Sequence, residues 1–233
     1  MLKAAVAAIA AVFATTASAQ IVIGANFDEP TTRYPHGVLG DTLEYGALVI
    51  ETNQGETVRL RLPDNRVFED TAPRIADLDA DGAPEVVVVE SHAGRGARLA
   101  AYNVTGMVAA TDWIGQRFRW LAPLGIADLD GDGRVELAYV DRPHLAQVLR
   151  IVRMEGETLV EAASMHGITN HRIGEEDIAG GIRDCGNGPE MVATDPSWNR
   201  LLAITFRDGG LTSRVIGSHQ GRSSFAAALD CAR

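Results

Sequence analysis

An all-β chain built from repeated units of about four short strands is predicted by three observations. Two near-identical stretches recur at a fixed spacing, short β-branched runs are punctuated by Gly, Pro and Asp turns, and no long helical period interrupts them. The stretches are IADLDADGAPEVVVV from Ile75 and IADLDGDGRVELAYV from Ile126, 51 residues further on. A period of this length fits stacked supersecondary units or propeller blades. The fold class expected is therefore a small β-propeller of four or five four-stranded blades.

Each unit follows from local chemistry. After each acidic stretch comes an apolar strand, a polar connection, and a hairpin closed by a turn. Thr105-Gly106 separates RLAAYNV from MVAATDW, and Glu155-Gly156 separates VLRIVRM from ETLVEAA. A later unit reads GIRDCGNGPEMVATD, then RLLAITF, a turn at Asp208-Gly209-Gly210, and LTSRVIG. An earlier one reads GVLGDTLEYGALVIE, then ETVRLRL, a turn at Pro63-Asp64-Asn65, and RVFED. The units expected are residues 33–65, 66–116, 117–171 and 172–216, with a tail over 217–233, all in one domain spanning 20–233.

The two stretches carry the chemistry. Each contains D-x-D-x-D-G-x-x-E: Asp77, Asp79, Asp81 and Glu85, then Asp128, Asp130, Asp132 and Glu136. Four carboxylates so close repel one another unless a hard cation sits among them. Oxygen-only donors and a glycine for a sharp turn favour Ca²⁺, two ions in all. The seventh positions, Ala83 and Arg134, would add backbone carbonyls. An EF-hand is excluded, because position twelve is Val88 or Tyr139 and the flanks read as strands. The simpler alternative is a pair of Asp/Gly turns facing solvent; the recurrence of the fourth acid in the same strand context argues against it. In the outer units the acids are lost. Ile182 and Gly186 stand where Asp77 and Asp81 would be, leaving Asp184 and Glu190, and the first unit keeps Asp41 alone.

These two stretches resemble the FG-GAP/VCBS repeat, the calcium-binding blade of integrin α-subunit propellers and of many bacterial secreted proteins. No Phe-Gly…Gly-Ala-Pro signature precedes the loops, so the resemblance is to the VCBS-type bacterial variant. It implies the propeller fold and Ca²⁺ sites and names no ligand.

The N-terminus reads as a signal peptide over residues 1–19. Lys3 gives a positive start, positions 4–13 an apolar core, and Ala17-Ser18-Ala19 a cleavage site. The apolar run is too short to span a bilayer. Export to the periplasm or beyond is expected, and an oxidising compartment would join the two cysteines, Cys185 and Cys231. The formal charge of −10 becomes −11 without Lys3, and two Ca²⁺ would bring it to −7. An acidic surface of this kind excludes nucleic acid as an expected partner, and no membrane insertion is expected.

An arginine recurs before each inner strand: Arg33, Arg66, Arg117 and Arg172. Arg66 and Arg117 precede their first aspartates, Asp77 and Asp128, by the same eleven residues. With His36 and His171 they form a candidate ligand face for a carboxylate or phosphate. The competing reading pairs each arginine with a nearby acid, such as Glu69, Asp70, Glu175 or Glu176, as a repeated structural bridge. No metalloprotease, P-loop or nucleophile-elbow motif is present. The expected role is a binding or scaffolding module for a protein, glycan or small anionic ligand. The alternative is a small periplasmic hydrolase acting on an anionic, phosphoester-like substrate at that face.

Overall fold

A computed structural model describes residues 20–232, so the expected signal peptide at 1–19 lies outside the described residues. The chain is all-β, with sixteen strands and one short helix among the described residues. The first unit contains β1 (Val22–Thr31), β2 (Glu44–Thr52) and β3 (Thr57–Arg61). The second contains β4 (Arg66–Phe68), β5 (Arg74–Ala76), β6 (Glu85–His92), β7 (Gly96–Asn103) and β8 (Gly106–Ala110). The third is β9 (Leu121–Ala127), β10 (Glu136–Asp141), β11 (Val148–Glu155) and β12 (Thr158–His166). The fourth is β13 (Gly181–Asp184), β14 (Pro189–Thr194), β15 (Arg200–Arg207) and β16 (Gly210–Ser218), followed by α1 (Arg222–Leu229).

The third and fourth units are antiparallel meanders in sequence order. In the second, β4 and β5 each pair with a different half of β6, so its first strand is broken in two. RVF, read after the first unit's last turn but placed by the expected bounds at the start of the second, pairs mainly with β6 and touches β2 only at Tyr45↔Phe68. The first unit instead takes its remaining strand from upstream: β1 pairs along nearly the whole of β2. The segment IVIGANFDEPT lacks clean alternation and carries a proline, Pro30, so its strand character is weak in sequence.

Burial explains the order of the units. The second strands of the later three units are buried throughout, so successive side chains serve opposite faces. Val86 and Val88 pack with Leu48, Ile50 and Phe68, toward the first unit. Val87 and Val89 pack with Trp120, Leu121, Leu137 and Tyr139, toward the third. Ala138 and Val140 of β10 then meet Met191, Ala193, Ile204 and Phe206 of the fourth. Val192 and Leu201 face Phe225 and Ala228 of α1. Four apolar seams thus run between successive elements.

Two glycines are fixed by close approach. A Cβ on Gly96, whose φ is +72°, would lie 2.2 Å from the Gln116 carbonyl oxygen. On Gly125 of β9 it would lie 2.5 Å from Ile182 Cδ1. Ile182, which occupies an aspartate position of the repeat, therefore fills the seam between the third and fourth units.

An eight-residue helix is marginal alone. Here α1 is held by its seam, by Arg183 donating to the Ala228 carbonyl at 2.6 Å, and by the Cys185–Cys231 disulfide, whose Cα atoms are 5.7 Å apart.

Candidate functional site

The acidic loops join the first and second strands of the second and third units. In the first loop, Asp77, Asp79 and Glu85 each place a carboxylate oxygen within 4.8 Å of the others; Asp128, Asp130 and Glu136 do the same in the second. Backbone donors hold this geometry. The Leu78 N–H donates to Glu85 at 3.0 Å and the Gly82 N–H to Asp77 at 3.0 Å. In the second loop the Leu129 N–H reaches Glu136 at 2.7 Å and the Gly133 N–H reaches Asp128 at 3.0 Å. Asp81 and Asp132 stand outside the close groups, each accepting from the N–H two residues on, Ala83 at 2.7 Å and Arg134 at 2.8 Å.

The loops differ in two respects. Position four is Ala80 in the first, held at φ +61°, and Gly131 in the second. The Gly131 N–H satisfies Asp128 Oδ1 at 2.7 Å, whereas Asp77 Oδ1 is buried with no hydrogen-bond partner. A buried carboxylate oxygen without a donor is costly unless something else, such as a cation, meets it. Among the described residues no arginine or histidine reaches an acid of the first loop. In the second, Arg153 of β11 lies against Asp130 at 2.6 Å, Asp132 at 3.2 Å and Glu136.

A buried glutamate lies at or next to the start of the second strand of every unit: Glu44, Glu85, Glu136 and Glu190, each under a tenth exposed. Burial raises the pKa of Glu85, with the Asp79, Asp81 and Asp77 charges adding to the rise. Glu136 is also raised, burial outweighing the Leu129 N–H and Arg153. At Glu190 burial pushes upward, but Arg214 and Arg183, at 2.7 and 2.9 Å, hold the carboxyl below its usual range. Glu44 has no cation beside it among the described residues. Burial first, then the Glu69, Asp41 and Asp70 charges, push it up to about 9. The sequence reading assigned the first unit Asp41 alone; aligning the heads of the apolar runs would have found Glu44.

The arginine and histidine candidates fall into separate settings. Arg33 donates to the Arg66 carbonyl at 2.9 Å, and Arg66 bridges to buried Glu90 at 3.1 Å. Arg172 lies over the Trp198 ring at 4.1 Å and 3.7 Å from Glu175. Arg117 lies over Phe118 at 4.3 Å, and His36 stacks on the same ring at 5.0 Å while contacting Glu69 at 2.6 Å. His36, Phe118, Trp120, His144, Leu145 and Ile173 line a cavity of about 320 Å³, with Arg119 and Arg142 at its wall. His171 sits behind it, donating from Nε2 to the Glu175 carbonyl, so its Nδ1 accepts from His144 Nε2 at 3.0 Å. Burial lowers both pKa values, that of His144 to about 4, so the pair is neutral near pH 7. None of Arg33, Arg66, Arg117 and Arg172 lines the cavity.

No helix among the described residues is long and apolar enough to cross a membrane. No curated protein matches the chain. Among solved structures, the exotype rhamnogalacturonan lyase YesX is similar at 17% identity and a TM-score of 0.43, covering 72% of this chain and 40% of its own. Rhamnogalacturonan lyase YesW is similar at 16% identity and 0.42, covering 76% and 38%. The chain thus spans about two fifths of the length of these lyases. The family model of the FG-GAP-like repeat matches residues 77–139, from the first aspartate of the first loop to β10. That segment, which contains both acidic loops, is similar to an FG-GAP-like repeat.

Proposed function

We propose that the chain is an exported, VCBS-type calcium-binding module whose four strand units are blades of a small β-propeller, and that it binds or scaffolds a partner. The observation that carries the calcium reading is the first loop. Three carboxylates converge there on a point that no cationic side chain among the described residues reaches, and one of them, Asp77, keeps a buried oxygen with no donor. The donors are all oxygen, which suits Ca²⁺, and the Ala83 carbonyl is the remaining backbone ligand. In the second loop the corresponding donors are Asp128, Asp130, Asp132, Glu136 and the Arg134 carbonyl. Bound there, the ion would neutralise the carboxylates and order the loop; chemistry at the metal is not part of this reading.

Export is supported by the Cys185–Cys231 disulfide together with the signal-like residues 1–19. The cavity beside His36 is a candidate place for a small ligand, since its aromatic walls and the Arg119 and Arg142 guanidinium groups suit an anion or a glycan with a flat apolar face.

The test is thermal unfolding in calcium and in EGTA. Chelation should lower the melting temperature, and Asp79→Ala with Asp130→Ala together should abolish that response. An unchanged melting curve in EGTA, with no metal found by elemental analysis, removes the calcium reading.

A further inference from the structure

We infer that Arg153 is the resident cation of the second loop, so that the chain binds one Ca²⁺ tightly, at the first loop. A second ion enters only at concentrations high enough to displace the guanidinium. This rests on the calcium reading above and divides two sites that the sequence makes look equivalent.

The argument begins with register. Glu136 pairs with Arg153 across β10 and β11, and the same count across β6 and β7 sets Asn103 opposite Glu85. Two neighbouring strands of otherwise matching units thus present a cation in one case and a neutral amide in the other. Asn103 is also engaged elsewhere, its Oδ1 accepting from the Thr105 N–H at 2.8 Å and from the Thr105 hydroxyl at 2.7 Å. Among the described residues no cation is therefore offered to the first loop from β7.

Arg153 is built into its place. Its side chain is 14% exposed and lies 5.6 Å from the Phe206 ring of the fourth unit. Its three nitrogens meet three different acids of the loop, Glu136 through Nε, Asp132 through Nη1 and Asp130 through Nη2. Two of these acids, Asp130 and Glu136, belong to the close carboxylate group a metal ion would need. Ion and guanidinium compete for the same oxygens, and charge-assisted bonds of this kind are the strong ones.

The fourth unit reaches a similar charge balance from other strands: the β15 residue opposite Glu190 is Thr205, and the positive charge comes from β13 and β16. Its buried Glu190 holds Arg183 and Arg214, and two of its loop aspartates have become Ile182 and Gly186. An arginine supplies the positive charge, and the acids that only a metal would use are gone. The second loop has both an arginine against its glutamate and its full set of acids.

The experiment is a count of Ca²⁺ bound by the full chain after metal stripping, by equilibrium dialysis and calorimetry, with Ca²⁺ as the sole probe. Wild type should bind one ion tightly and a second at least about tenfold more weakly. Arg153→Asn should bring the second to within about threefold of the first. Asp79→Ala should remove the tight ion from wild type and leave one in the Arg153→Asn background. Two ions of equal affinity in wild type, or an unchanged gap in Arg153→Asn, overturns the inference. If Arg153→Asn fails to fold because Glu136 is left unpaired, Asn103→Arg decides the matter. It should close the first loop in the same way and abolish tight binding, and undiminished binding overturns the inference. Wild type taking up no calcium at all would instead defeat the underlying calcium reading.

Discussion

Glu44→Gln tests how a buried acid without a counter-cation is tolerated. Glu44 is 3% exposed, and its pKa is raised from 4.5 to about 9, chiefly by burial and then by Glu69, Asp41 and Asp70. The folded chain therefore keeps this proton over a range in which the unfolded chain has lost it. The stability it contributes is fully present below the unfolded value and disappears as pH rises through the folded one. Between those limits each pH unit removes about 1.4 kcal/mol. By pH 7 the loss is about 3 kcal/mol, and by pH 8.5 about 5 kcal/mol. Gln has nearly the same shape and no proton to lose, so the variant lacks this slope. Urea unfolding in saturating calcium at pH 5, 7 and 8.5, followed by tryptophan fluorescence, measures it. Wild type and variant should nearly coincide at pH 5, with the variant gaining several kcal/mol by pH 8.5. A constant difference across the three pH values would refute the assignment of a buried, protonated Glu44.

Replacing Cys185 and Cys231 together by Ala should lower stability by up to about 4 kcal/mol on the chain-entropy estimate for a 46-residue loop, read by chemical denaturation. Reduction of the wild type should reproduce the loss. Ala80→Gly should stabilise the calcium-free chain by about 1 kcal/mol, because it relieves a left-handed alanine where the second loop already has Gly131; unfolding in EGTA checks it. Gly96→Ala should cost about 3 kcal/mol or more, since its Cβ meets two backbone carbonyls, Gln116 at 2.2 Å and Arg119 at 2.8 Å; a melting temperature close to wild type would contradict this.

The acidic loops and the strand hairpins were legible because their signals are local. Asp spacing, turn glycines and alternating apolar residues act over fewer than ten positions, and the meanders of the third and fourth units follow from them directly. Partnership across the sheet was not. Nothing near Arg66 says that RVF pairs with Ser91 and His92 in preference to the preceding hairpin. Arg153 is seventeen residues from Glu136, and only the β10–β11 register brings it into the loop. The recurring arginines illustrate the same limit, because recurrence in sequence led to unlike surroundings. Arg66 meets Glu90, Arg117 meets the Phe118 ring, and Arg172 meets Trp198.

The double-sided burial of β6, β10 and β14 has a consequence for how the molecule comes apart. Neighbouring residues on one strand belong to different seams: Val87 supports the contact with the third unit and Val88 the contact with the first. Each middle strand is a party wall, and stripping the neighbour from either side leaves about half its apolar side chains facing water. Loss of a terminal unit should then propagate inward, so that the described chain unfolds as a sequence of coupled neighbours, with α1 and its disulfide closing one end.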